Sequence, residues 1–379
     1  MDKKEALKRR GLAFLRSKEA LVSNARKTMQ AAGAKRLIAV IKANAYGHGD
    51  TWAARTLYKE LQVKDFAVAT VEEGLRVRKA MSEEDVAILL LGVQPYELAG
   101  EMAEQGLATI AGSFDWLVKA KGILVEEGTK RPLAIHLAVD TGMGRVGAKT
   151  EAELSSMLDF VRQDEHFDLA GVMTHFATAD EKKQAYYDQQ LADFMHMVTD
   201  LAIPRKYWHL ANSGSALFHS DQIPTDTIRV GAALYGFNPA FGAYESPVEL
   251  EAVGQLVGRV WAVHPLLKGE SLSYGATYTA KQDQWVGTVP IGYADGWKRS
   301  LSGMTVLVNG TKQRVLGRVT MDQIVISLPG PVPVNTEVTF IGQDADEKIS
   351  IEEVADFAKT IPHEILTGIS DRVPRVNID

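Results

Sequence analysis

The chain has 379 residues, 46% hydrophobic and 24% charged, with a formal net charge of −6 and no cysteine. That balance belongs to a folded chain long enough for two domains; it excludes disorder, and the missing cysteines exclude disulfides, cysteine–zinc sites and thiol nucleophiles. The acidic surplus argues against a nucleic-acid partner, no apolar run nears the roughly 18 residues of a membrane helix, and Arg16, Lys18 and Glu19 break up any signal-peptide core, so a cytoplasmic protein is expected.

In chain order, eight short apolar runs recur before residue 236: 37–42, 66–70, 86–92, 107–111, 133–140, 169–175, 207–211 and 227–231. Near-continuous apolar strands mark a parallel sheet buried on both faces. Most gaps carry helical periodicity, as in WAARTLYKEL, EEGLRVRKAM, EAELSSMLDFV and AYYDQQLADFMHMVTDLA. Eight strands alternating with helices over about 240 residues predict a (β/α)8 TIM barrel. A doubly wound open sheet is the alternative, but its G-x-G-x-x-G fingerprint is missing after the first strand. GFNPAFGAYESP (236–247) reads as a linker. Beyond it QLVGRVWAVHP, QWVGTVPIG, TVLVNG, QRVLGRVT, QIVISLP and EVTFIG predict a mainly-β domain, followed by a helix in ISIEEVADFAKT with Ser350 and Glu353 at capping-box spacing. The expected fold class is α/β: a barrel over 1–243 and a β domain over 244–379.

Lys42 closes the first predicted strand. Barrel strands present their C-terminal ends to the active-site mouth. A lysine emerging there from an apolar strand is partly desolvated, which favours the free amine as a nucleophile toward a carbonyl. Schiff-base chemistry, with pyridoxal phosphate as one candidate, is one reading; a solvated lysine at a strand end is the other. Read singly, Arg229 is a surface ion-pair residue, His175 a satisfied strand-end histidine and Ser213 a helix N-cap. GMGRVGAKT imitates a phosphate loop, but Ala148 stands where the lysine belongs, and no histidine pair has zinc-protease spacing, so no metal is expected.

KANAYGHG (42–49), DTGMGRVG (140–147), THFATAD (174–180), HLANSG (209–214), RVGAALYG (229–236), SLSYGATY (271–278), GYADGW (292–297), GRVTMDQ (317–323) and RVPR (372–375) follow one another in register. Together they resemble the alanine racemases, from about residue 36 to the end. The resemblance implies a homodimeric pyridoxal-phosphate enzyme with a barrel followed by a β domain, interconverting L- and D-alanine. It implies that Lys42 carries the cofactor and serves as one acid/base group. Tyr46, Asn212, Ser213, Gly231 and Ala232 would hold the cofactor and its phosphate, with Gly47 and Gly49 permitting the tight loop. Arg229 would face the ring nitrogen, and His175 would bridge it to Tyr274, the second base, supplied by the other subunit. Arg145 and Met321 would bind the substrate carboxylate, with Tyr293, Arg299 and Arg318 lining the entrance.

The chain departs from the family pattern at informative places. The opening strand is blurred into LAFLRSKEAL. Asp371 stands where some relatives have a tyrosine near the phosphate, which keeps a racemase of serine, lysine or broader range as an alternative. Ala138 replaces a lysine that many relatives carbamylate to hold the substrate-binding arginine, so Arg145, expected to be at least partly buried, should need a small anion or ordered water instead, with a neighbouring carboxylate as the competing acceptor. A non-catalytic pyridoxal-phosphate-binding protein would resemble the barrel alone, and residues 244–379 argue against it.

Overall fold

The computed structural model describes residues 1–241 and 243–379, so Gly242, within the expected linker, lies outside the described residues. The chain divides into two units.

The first unit comprises residues 22–45 and 50–250. Eight parallel strands form its sheet: Arg36–Val40, Asp65–Val68, Ala87–Leu90, Leu107–Ala111, Leu133–Ala138, Phe167–Met173, Trp208–His209 and Thr227–Val230. The first strand pairs with both the second and the eighth. The ring closes where Ala211 bridges Ile228, with Arg229 N–H donating to Ala211 O at 2.8 Å. This is the expected barrel. Its strands are apolar because both faces are covered: all five residues of Leu107–Ala111 and all four of Thr227–Val230 are buried. The intervening helices start on caps that the sequence encodes. Thr70, Ser113 and Thr150 each accept the N–H three residues on, and Thr150 with Glu153 completes a capping box. Each cap stabilises its helix by about 1 kcal/mol.

The second unit comprises residues 1–21, 46–49 and 251–379. Its main sheet orders Ala262–Leu266, Gln284–Val289, Ile324–Leu328, Thr311–Leu316, Thr305–Val308, Glu337–Asp344, Gly254–Arg259, Leu12–Arg16 and Arg375–Asn377, with Glu347–Ile349 added on Glu337–Asp344. QLVGRVWAVHP thus holds two strands rather than one. The division differs from the expected 1–243 and 244–379, because the blurred segment LAFLR is a strand of the second unit. It pairs antiparallel with Gly254–Arg259 and parallel with Arg375–Asn377. Ala13 and Leu15 pack with Ala6, Leu7, Val257 and Val376. Ser350 caps the helix Ile351–Phe357 through Glu353 N–H, as its spacing predicts. No helix among the described residues is long and apolar enough to cross a membrane.

Candidate active site

The segment after the first barrel strand is unusual. Ala43, Asn44, Ala45 and Tyr46 have φ of 51°, 54°, 52° and 52°, one turn of left-handed helix built without glycine. Ala45 N–H still reaches back to Ile41 O at 2.7 Å. Each such residue costs roughly 1–2 kcal/mol against the right-handed form, so the surroundings must hold the turn. Gly47 and Gly49 continue it with φ of 83° and 109°. At Gly47 a Cβ would sit 2.3 Å from Leu366 O, so this position requires glycine. Tyr46 belongs to the second unit, buried, with its hydroxyl pushed up to about 12 by burial.

Lys42 opens this turn, half-buried. Burial lowers its proton affinity, the charges of Arg145 and Arg229 lower it further, and Glu73 opposes them. Arg229 is 2% exposed and therefore no surface ion-pair residue. Its Nη1 donates to His209 O at 3.0 Å and His209 Nδ1 at 3.1 Å; its Nη2 donates to Thr174 O and His175 Nδ1, both at 3.0 Å. Burial, then Arg145, lowers Arg229 to about 10, which leaves it a cation at neutral pH. Burial, then Arg229, drives His175 down to about 3.

Two further histidines stand behind Arg229. His209 Nε2 lies 2.7 Å from His136 Nδ1, and both rings are buried. Gly171 makes the pair possible, since a Cβ there would lie 2.2 Å from His136 Nδ1. Burial pushes His136 down to about 3 and His209 well below its usual value. Gln190, fully buried, accepts from Ala177 N–H and donates to His175 O, fixing the backbone around His175. The sequence reading missed Glu73, His136, His209 and Gln190 as contributors. His209 lies within a quoted motif, and Thr70-x-x-Glu73 carries capping spacing. His136 and Gln190 carry no signal beyond being polar within apolar surroundings.

The loops after the seventh and eighth strands meet at Ser213. Its Oγ accepts Gly231 N–H at 3.1 Å and Ala233 N–H at 3.5 Å. The N-cap of Ser213–Phe218 is Asn212, not Ser213: Asn212 Oδ1 accepts Ser215 N–H and its Nδ2 donates to Phe176 O. The N–H groups of Ser213, Gly214 and Ala232 meet no acceptor among the described residues, although Ser213 and Ala232 are buried. Buried amides without partners at this end of a barrel suit an anionic phosphate. With the amine of Lys42 in the same unit, the residues present fit a phosphorylated aldehyde cofactor.

Arg145 lies on the loop after the fifth strand. Asp140 Oδ1 shapes that loop by accepting Gly142 and Gly144 N–H. Contrary to expectation Arg145 is exposed, with neither a hydrogen bond nor an ion pair among the described residues, because it stands in a loop of bends beyond the strand that buries Ala138; its charge still acts on Lys42, Arg229 and His175. Solvent can serve its donors, so no buried acceptor is compulsory.

The remaining predicted residues lie in the second unit. Tyr274 stands at the tip of the hairpin Ser271–Leu272/Tyr278–Thr279, 74% exposed. Ser273 Oγ ties this tip to the loop of Arg318 and Met321, donating to Arg318 O and accepting Arg318 N–H. Tyr293 and Ala294 N–H donate to Thr320 O and Met321 O, and a Cβ on Gly292 would lie 2.3 Å from both carbonyls. Buried Asp295 gathers Arg10, Arg372 and Gly292 N–H, which joins RVPR to GYADGW. Tyr274, Tyr293, Arg318, Met321 and Asp371 are exposed on these joined loops; Arg299, also exposed, follows them.

A family model described as alanine racemase, N-terminal domain, matches residues 17–239, and one described as alanine racemase, C-terminal domain, matches 253–377. The chain is 43% identical over 353 residues to alanine racemase of Limosilactobacillus fermentum, covering 92% of this chain and 93% of that one. It superposes on alanine racemase from E. faecalis with a TM-score of 0.92 at 36% identity, covering 97% and 98% of the two chains. It superposes equally well, at 0.92 and 30% identity, on a histidine racemase from Leuconostoc mesenteroides subsp. sake, covering 98% and 99%. The chain belongs to the alanine racemase family of isomerases, which depend on pyridoxal phosphate.

Proposed function

We propose that the chain racemises alanine as a cytoplasmic homodimer, with Lys42 and Tyr274 of the partner subunit as the two bases, and that its D-alanine supplies peptidoglycan. The observation that carries this reading is the environment of Lys42: an amine at a barrel-strand end, half-buried and then set near the charges of Arg145 and Arg229, so that it is deprotonated more readily than usual. Pyridoxal phosphate supplies the electron sink that acidifies the α-proton of a bound amino acid. Lys42 would hold it covalently, the amides of Ser213, Gly214 and Ala232 would take its phosphate together with Gly231, Tyr46 would contribute to phosphate binding as the family resemblance implies, and Arg229 would face its ring nitrogen. Arg229 cannot readily yield a proton there, which restrains electron withdrawal and favours return of the proton over transamination.

Racemisation needs a base on one face and a conjugate acid on the other. Lys42 Nζ would take or give the proton on one side and Tyr274 Oη on the other. A phenol is a poor base near neutrality. With its Nδ1 facing Arg229, His175 would offer its Nε2–H to the partner's phenolate, and the Arg229 charge behind it would favour the anion. The exposure of Tyr274 and Met321 suits groups that act in a neighbouring subunit. Arg145 and the Met321 amide would hold the substrate carboxylate, with Tyr293, Arg299 and Arg318 at the entrance.

Asp371, exposed where relatives can carry tyrosine, and the likeness to a histidine racemase support a second reading of broader substrate range. Chiral separation of products from L-alanine, L-serine, L-lysine and L-histidine tests both. Inversion of alanine with far higher kcat/KM than the rest supports the first reading. Comparable inversion of a larger amino acid transfers the assignment to the second. No inversion of any, with cofactor bound, leaves a binding protein without turnover.

A further inference from the structure

The left-handed turn beside Lys42 is unfavourable by itself, and one helix holds it from two sides. Glu73 and Arg76 lie three residues apart on the helix Val71–Ala80, on neighbouring turns. Glu73 Oε1 accepts Ala43 N–H at 2.7 Å, and its Oε2 accepts Ala69 N–H at 2.8 Å. Arg76 donates to Asp50 through Nε at 2.8 Å and Nη2 at 2.5 Å, and Asp50 N–H donates to Asn44 Oδ1 at 3.1 Å. The helix thus grips Ala43 directly and Asn44 through Asp50. An ordinary capping box would send the Glu73 carboxylate back to the N–H of Thr70. Here it goes to the residue before the cap and back across to the loop after the preceding strand. Bonds from amides to a carboxylate are roughly twice as strong as neutral ones.

We propose that Glu73 is a positioning residue for the reaction: by bridging the Ala43 and Ala69 amides it holds the left-handed turn that aims Lys42, and it keeps a negative charge beside that amine. The arrangement is distinct from the phosphate and carboxylate contacts, and Glu73 itself touches neither substrate nor cofactor in this role. Its charge works against those of Arg145 and Arg229 on Lys42. The inference rests on Lys42 carrying the cofactor.

The test compares holoenzyme of Glu73→Gln, Glu73→Asp and Thr70→Ala with the parent. Thr70→Ala is the control: it removes the helix cap without touching the carboxylate. The readouts are the pH dependence of the cofactor's visible absorbance, kcat against KM, and Tm. Glu73→Gln should move the absorbance midpoint down by roughly one pH unit, because an anion near the lysine nitrogen is lost. Its kcat should fall on the order of tenfold with KM little changed, as misplacement of a reacting group does. Thr70→Ala should lower Tm while leaving midpoint and kcat in place. If Glu73→Gln does not fold, Glu73→Asp carries the test: it keeps the charge and shortens the reach, so its midpoint should hold while kcat falls. A parental midpoint and kcat in Glu73→Gln, an equal shift in Thr70→Ala, or a parental kcat in Glu73→Asp overturns the proposal. Retention of the visible absorbance by Lys42→Ala would instead overturn the assignment of Lys42.

Discussion

Arg229 Nη2 lies 3.0 Å from His175 Nδ1, and this contact decides where the histidine keeps its proton. A guanidinium only donates, so Nδ1 is the acceptor and the hydrogen sits on Nε2. The same logic applies to His209, whose Nδ1 faces Arg229 Nη1 at 3.1 Å. Its Nε2–H then donates to His136 Nδ1, which places the last hydrogen on His136 Nε2. The buried cation is therefore surrounded by neutral imidazoles and carbonyls, and its direction is set by acceptors that cannot themselves become charged without breaking these bonds.

That chain predicts an acid sensitivity. Free histidine titrates near 6.5, whereas burial holds His136 and His175 down to about 3 and His209 well below its usual value. Between those limits the unfolded chain binds protons that the folded chain refuses, so this stability is full above about pH 6.5 and is lost progressively toward pH 3. Denaturant unfolding followed from pH 7.5 to pH 5 should show a falling midpoint with apparent uptake of about three protons. A midpoint that does not fall over that range would contradict the neutral tautomers.

Tyr274→Phe should damage the two directions unequally. If Lys42 and Tyr274 serve opposite faces, losing the phenol removes the base for one enantiomer and leaves the other enantiomer's base intact. Exchange of the α-hydrogen for deuterium should slow by roughly 10²–10⁴ for one enantiomer of alanine and far less for the other. Equal slowing of both would reject the two-base assignment.

The barrel was legible because its physics is local. Each strand is covered on both faces, so runs such as Leu107–Ala111 must be apolar, and all eight predicted runs contain the observed strands or overlap them. What was not legible depends on distant partners. Leu12–Arg16 reads as an ambiguous apolar stretch because its pairing lies with Gly254–Arg259 and Arg375–Asn377, far along the chain. The burial of Arg229 is hidden for the same reason: its acceptors come from two other segments, at Thr174–His175 and at His209, and a lone arginine in sequence looks solvated. The left-handed turn carries no residue signal at Ala43, Ala45 or Tyr46, since its support comes from Glu73 and Asp50. Motifs in register therefore named the candidate residues, while the groups that hold and tune them emerged only with the fold.

Complementation tests the shared site. Lys42→Ala and Tyr274→Phe should each be nearly inactive as pure proteins. In a two-fold dimer whose sites each draw Lys42 from one subunit and Tyr274 from the other, a mixed dimer pairs both mutations in one site and leaves the second intact. Unfolding and refolding the two variants together should restore activity, measured against each refolded alone. Mixed dimers shown by mass spectrometry to have formed, yet inactive, would rule the arrangement out.

Arg145 is expected to work without a carbamate. Ala138, 2% exposed, offers no side-chain acceptor and no amine, and Arg145 is itself exposed, so water can meet its donors at little cost. The parental rate should therefore be indifferent to added bicarbonate. Ala138→Lys makes the converse case. The longer side chain would enter a packed site and should cost roughly 1–3 kcal/mol. Burial there would disfavour its ammonium form. The resulting neutral amine can add carbon dioxide, forming an N–C bond and releasing one proton, to leave an anionic carbamate. Bicarbonate should then raise the Tm of Ala138→Lys, and intact-mass measurement under mild conditions should find the adduct, with no change in the parent protein. A parental rate that responds to bicarbonate would mean that another lysine of this chain supplies the carbamate, and that Ala138 does not mark its loss.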